Sequence, residues 1–156
     1  MMLAGAIIGM VSVLMLWFSM DFILVRFDYS GLDFLLKSFD HPESYPSVGY
    51  YAYMPWIVLA ASAAAMVFSI LSFTKHERKG AAAGTALGSV ILAATFLYVF
   101  YPASRIALST PAADMIADIK LMNYLDAGVY CALIAGMLLV IGGIIILQTR
   151  KDGPET

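Results

Sequence analysis

Four stretches of this chain, Met1–Met20, Tyr53–Phe73, Ala81–Tyr101 and Ala127–Leu147, hold no Asp, Glu, Lys, Arg or His, and together they fill more than half of its 156 residues. At about 1.5 Å rise per residue, each is long enough to cross a hydrocarbon core about 30 Å thick. Within such a core only a helix satisfies the backbone hydrogen bonds of a single apolar segment. The expected fold is therefore an all-α integral membrane protein. It is a four-helix transmembrane bundle in one domain, 1–156, with outer loops at 21–52 and 102–126, an inner loop at 74–80 and a tail at 148–156.

Charge narrows the function classes. Only 13% of residues are charged, against about a quarter in soluble domains. The net charge is −2 and the basic residues are dispersed, so no cationic stripe exists to neutralise a phosphate backbone, and nucleic acid is not an expected partner. Cys131 is the only cysteine, which excludes an intrachain disulfide and a thiol pair for redox relay. The first run lacks a basic n-region and an A-x-A-like cleavage site, and is read as a permanent span rather than a signal peptide.

Orientation follows from Lys and Arg. Lys75, Arg78 and Lys79 in the short second connection, with Arg150 and Lys151 after the last span, are five of the nine basic residues. The positive-inside rule places them in the cytoplasm. Both termini are then cytoplasmic, in a protein expected in the plasma membrane, and the two long connections face outward. The first of these is acidic, with Asp21, Asp28, Asp33, Asp40 and Glu43 against Arg26 and Lys37.

Small residues indicate how the spans associate. Gly5–Gly9 and Gly84–Gly88 are G-x-x-x-G pairs, and Gly136 and Gly142 mark the fourth span. Such positions let two backbones approach where lipid supplies no hydrophobic drive. They serve either packing within the bundle or self-association and docking to other membrane subunits, and the need of four helices to find one another favours the first. Trp17, Phe18, Tyr53, Trp56, Tyr98 and Tyr101 fall near outer span ends, as an aromatic belt would.

The outer loops carry local signals. Phe22–Tyr29 alternates, with Ile23, Val25, Phe27 and Tyr29 on one side, which suits a strand, or it extends the first helix. Ser30-Gly31-Leu32-Asp33 fits a capping box, ahead of Leu32, Leu35, Leu36 and Phe39 at helical spacing. That gives a short amphipathic helix, followed by a turn rich in Tyr45, Tyr50 and Tyr51. These residues form a small ectodomain and the expected interaction surface. Thr110-Pro111 fits a further helix start, either continuous with the fourth span or kinked at Gly128.

Chemistry is sparse. No ionisable residue lies inside a span, where proton relays and ion-coupled sites place theirs. Asp40, His41 and Glu43 read as a solvated turn rather than metal ligands, and Asp114 and Asp118 as the wet face of a helix. His41 and His76 fall on opposite sides of the membrane, which disfavours bis-histidine haem and a nucleophile–base pair. No catalytic residue, metal site or cofactor is assigned.

The layout resembles the claudin-like tetraspans: four spans, a long first outer loop entered after Trp17-Phe18, a short basic inner loop and a shorter second outer loop. It also looks like small four-span prokaryotic proteins. In motif the likeness covers Trp17 and Gly31-Leu32. The family continues with W-x-x-C and a second cysteine, whereas this chain has Asp33 and no loop cysteine, so the disulfide-braced sheet and junction role are not carried over. The expected function is non-catalytic: an accessory subunit of a larger membrane complex, or a tetraspan-like organiser, in contact with lipid and with other subunits or itself. An oligomeric transporter, channel or lipid-handling protein is the alternative. The span hydroxyls, including Ser12, Ser62, Ser69, Thr85, Ser89 and Thr95, can bond back to their own helices and line a pore weakly.

Overall fold

The computed structural model describes residues 1–22, 25–33, 53–75, 78–99 and 125–149. They form helices α1 (Met2–Leu14), α2 (Met54–Lys75), α3 (Arg78–Val99) and α4 (Ala127–Thr149), with strands β1 (Leu16–Phe22) and β2 (Val25–Ser30) between α1 and α2. Helices α2, α3 and α4 are long and apolar enough to cross a membrane. Helix α1 is shorter, 13 residues or about 20 Å.

The first apolar run is thus not one helix to Met20, and this corrects the reading of Met1–Met20 as a helical span. Its last third pairs antiparallel with β2, from Phe22↔Val25 back to Leu16↔Ser30. Hydropathy cannot separate a buried strand from a buried helix. What decides here is a partner strand and a side-chain hydrogen bond at the end of α1. The reading of Phe22–Tyr29 as one strand holds from Val25 onward, whereas Phe22 ends β1 and pairs with Val25, Ile23 lies outside the described residues, and extension of the first helix through the segment does not hold.

Each helix packs on two neighbours, in the cyclic order α1, α2, α3, α4. Neighbours run antiparallel: Met2 meets Gly142, Gly5 meets Leu138 and Leu139, and Gly9 meets Ala135. The helices are apolar all round, so size rather than polarity separates their faces. Along α4 the buried stripe includes Gly128, Ala132, Ala135, Gly136, Leu139 and Gly142. The opposite, exposed stripe is Tyr130, Ile134, Met137, Ile141 and Ile144. Small residues inside and bulky aliphatic residues outside is the order expected when lipid is the solvent.

Helix α4 begins at Ala127. Leu125 forms a β-bridge and Asp126 is non-helical, so a continuous helix from Pro111 to Leu147 is excluded. Asp126 instead caps the start: Oδ1 accepts from Ala127 N–H at 2.6 Å and its carbonyl from Val129 N–H at 3.1 Å. A carboxylate there also faces the positive end of the helix dipole.

Candidate functional site

The end of the bundle that carries the hairpin is organised around Trp17. Residues 16 and 18 of β1 pair with residues 30 and 29 of β2, so Trp17 is the extra residue of a β-bulge. A bulge turns a side chain away from the ladder. Here the turned side chain is fully buried, and its indole N–H donates to the Ser12 carbonyl at 2.8 Å.

That bond settles the end of α1. The last carbonyls of a helix lack intrahelical donors and must find others, above all at membrane depth. Ser12 C=O receives the indole and, at 3.2 Å, the Met15 N–H. Met15 C=O receives Gly31 N–H and Trp17 C=O receives Asp126 N–H, each at 3.3 Å. The first binds β2's end to α1, and the second binds the entry of α4 to the bulge.

Two glycines make room for the ring. A Cβ on Gly31 would lie 2.7 Å from the Val13 carbonyl and 3.1 Å from Trp17 Nε1. One on Gly128 would lie 2.7 Å from Nε1 and 2.8 Å from the Leu16 carbonyl. Trp17 and Gly31, far apart in the sequence, therefore touch. Tyr98 of α3 meets the indole edge-on, with centroids 5.1 Å apart, and is itself fully buried. Neither aromatic belongs to an interfacial belt, which corrects that expectation for both. Tyr53 and Trp56, at the start of α2, are exposed as a belt requires, while Tyr101 lies outside the described residues.

Beside this node the capping box forms. Ser30 N–H and O–H donate to Asp33 Oδ2 at 2.9 and 2.7 Å, and Asp33 N–H donates to Ser30 Oγ at 3.0 Å. Leu32, within the box, is exposed. Leu35, Leu36, Phe39, Tyr45, Tyr50 and Tyr51 lie outside the described residues, as do Asp40, His41, Glu43, Asp114 and Asp118. Among the described residues no three His, Cys, Asp or Glu gather as a metal site would require.

The six glycines expected at helix contacts all face other helices of the same chain. Gly5 faces the Ala135 carbonyl, Gly9 faces Ser62, and Gly84 and Gly142 receive Met2 from opposite sides. Gly88 and Gly136 face each other across α3 and α4, where a Cβ on Gly88 would stand 2.7 Å from Leu139 Cβ. Ser12, Ser69, Thr85, Ser89 and Thr95 bond to carbonyls three or four residues back. Ser62 differs: its buried hydroxyl, against Gly9, has no hydrogen-bond partner among the described residues.

Sequence reasoning missed the roles of Gly128 and Met2. Gly128 was visible as a possible kink, and its use as a slot for Trp17 had no local signal. Met2, one of ten methionines, had no local signal to set it apart. Compared with protein-family models, curated proteins and solved structures, the chain finds no match.

Proposed function

We propose that this chain is a non-catalytic integral membrane protein, an accessory subunit of a larger membrane complex or a tetraspan-like organiser, whose outer end is its recognition surface. The observation that carries the reading is the Trp17 node. Three parts that have no covalent reason to stay together, the hairpin, the start of α4 and the end of α3, are fixed there by a bulge, two glycine slots and a ring pair. A node of this kind fixes the ends from which the loops leave, and recognition is carried on loops set by a rigid scaffold. The small-residue faces support it from the other side, because the glycines that would serve an oligomer interface are filled by Met2, Leu139 and Ser62 of the same chain.

In this reading the fourth crossing is α1 together with the extended entry Met15–Phe18. About 20 Å of helix and about 13 Å of strand make up the thickness of the core. Three carbonyls of this stretch, Ser12, Met15 and Trp17, accept hydrogen bonds from within the protein, as non-helical backbone at that depth requires. The basic ends of α2 and α3 face the cytoplasm, the hairpin faces outward, and the membrane is the plasma membrane. The likeness to claudin-like tetraspans is part of the proposal, supported by Trp17 lying against Gly31.

Gentle extraction from the membranes of cells that produce the protein, followed by mass spectrometry of what co-purifies, tests this. Partners in stoichiometric amount are expected. A monodisperse monomer in mild detergent and in nanodiscs, with no partner at either stage, overturns it.

A further inference from the structure

The hairpin has one occupied edge and one open edge. Besides β2, strand β1 has a second neighbour: its Trp17 carbonyl takes Asp126 N–H at 3.3 Å, and Leu125 beside it forms a β-bridge. Among the described residues no backbone group pairs with the far edge of β2. Two residues separate Phe22 from Val25, and these two pair. The pair that closes so short a turn is hydrogen-bonded, and along an antiparallel ladder hydrogen-bonded and non-hydrogen-bonded pairs alternate. Val25, Phe27 and Tyr29 therefore direct their N–H and C=O groups toward β1, while Arg26 and Asp28 direct theirs to the open edge. Ser30, in phase with the second set, sends its N–H to Asp33 Oδ2 at 2.9 Å, and this ends the edge.

The sequence of this edge complements itself. Two antiparallel copies of β2 can join only where residues 26 and 28 of one face residues 26 and 28 of the other, in registers centred on 26, 27 or 28. Centred on Arg26, Arg meets Arg; centred on Asp28, Asp meets Asp, and the ladder calls on the Ser30 N–H that Asp33 already holds. Centred on Phe27, Arg26 stands opposite Asp28 of the second copy at both ends of the pair, Val25 opposite Tyr29, and Phe27 opposite itself. Opposite charges and aromatic or β-branched pairs directly across a ladder are the stabilising kinds. The two-fold axis of this register is perpendicular to the sheet, so the two hairpins keep like faces on the same side. Alternation puts Met20, Phe22, Val25 and Phe27 on one face, with Arg26 and Asp28 on the other. Laid with its apolar face on the membrane, the joined sheet has its axis along the membrane normal, and both copies insert in the same direction.

We propose that two copies of this chain pair edge to edge through β2, antiparallel and centred on Phe27, into one sheet shared by two bundles. This names a second copy as the partner of the recognition end proposed above, and rests on that end being free to meet it. A two-stranded hairpin is marginal by itself, whereas three or more strands with one apolar face hold together. The glycine faces of the bundle are filled by the chain's own side chains, so the strand edge is where copies meet.

The test is disulfide cross-linking of the full chain in membranes, in a Cys131→Ser background, read on a non-reducing denaturing gel. On the axis, position 27 meets itself at a Cα separation of about 4.5 Å, within reach of a disulfide, so Phe27→Cys should close into a covalent dimer on mild oxidation. Position 25 lies about 13 Å from its own counterpart, and Val25→Cys should close at least about tenfold less. Arg26→Glu and Asp28→Arg each set like charges opposite one another at two places, and each should cut the Phe27→Cys dimer about tenfold. Producing the two charge variants together sets acid opposite base again at both places and should restore it. A Phe27→Cys chain that stays at monomer mass, its edge covered by its own chain, or that joins a different protein instead, overturns the proposal. Equal closure at 25 and 27, or no recovery from mixing the charge variants, overturns it too. Should Phe27→Cys not fold, light scattering in mild detergent decides: twice the chain mass is expected for wild type and for the mixture, and chain mass for either charge variant alone. None of these readouts needs a foreign partner, so failure here leaves the accessory-subunit reading to its own co-purification experiment.

Discussion

Trp17 and Tyr98 meet edge to face, centroids 5.1 Å and planes 82° apart, both fully buried, one on the bulge of a hairpin and the other near the end of α3. Such a pair contributes about 0.5–1.5 kcal/mol beyond its buried area. A double-mutant cycle with Trp17→Leu and Tyr98→Leu, read by thermal unfolding in detergent, should give a coupling energy in that range. Additive losses would show that the rings do not act together.

The indole has a second role that the cycle does not isolate. Trp17→Phe keeps a ring but removes the donor to Ser12 C=O, which still has Met15 N–H. A loss of about 1–3 kcal/mol is expected, less than the ~3–5 kcal/mol of Trp17→Ala, where the ring also leaves a cavity. Equal losses for the two variants would mean that the hydrogen bond, not the ring, holds the node.

Glycine contacts within the chain predict a change in stability without a change in assembly. Gly88→Ile drives a side chain into Leu139 and the Gly136 backbone, and should destabilise by about 1–3 kcal/mol or more. Light scattering of the solubilised protein should give the same mass for wild type and variant. A variant that loses mass instead would place Gly88 at an interface between copies.

The uncharged runs were enough to place α2, α3 and α4, and the spacing of small residues picked out Gly5, Gly9, Gly84, Gly88, Gly136 and Gly142, because in lipid the packing face is marked by size alone. Ser30 and Asp33 were equally legible, since a capping box is local in sequence. What did not show was long-range. Nothing near Trp17 says that Gly31 and Gly128 stand against it, and nothing in Met1–Met20 says that β2 will take its last third. Both depend on contacts between segments distant in sequence, where periodicity carries no information.

Ser62 offers a gain rather than a loss. Its buried hydroxyl lacks a partner among the described residues, so Ser62→Ala removes a desolvated polar atom and should be neutral or stabilising by up to about 1 kcal/mol. Gly9→Ala, which pushes a Cβ against that hydroxyl, should destabilise, and combining it with Ser62→Gly should recover most of the loss. A marked loss from Ser62→Ala alone would show that the hydroxyl makes a bond that matters.

The replacement of helix by hairpin after Leu14 is open to direct chemical test. In the hairpin Ser19 stands opposite Asp28 and Met20 opposite Phe27. Had α1 continued through Met20, Ser19 would ride on a helix and no fixed partner beyond residue 24 would face it. In a Cys131→Ser background, cysteine pairs at 19/28 and at 20/27 sample both kinds of antiparallel position, whose Cα separations of about 4.5 and 5.5 Å each allow a disulfide. Mild oxidation in membranes should close at least one pair quickly, while 19/25, out of register, should close slowly. Absence of cross-linking at both in-register pairs, in protein that otherwise unfolds like wild type, would return residues 16–20 to the helix and detach Trp17 from the bulge that positions it.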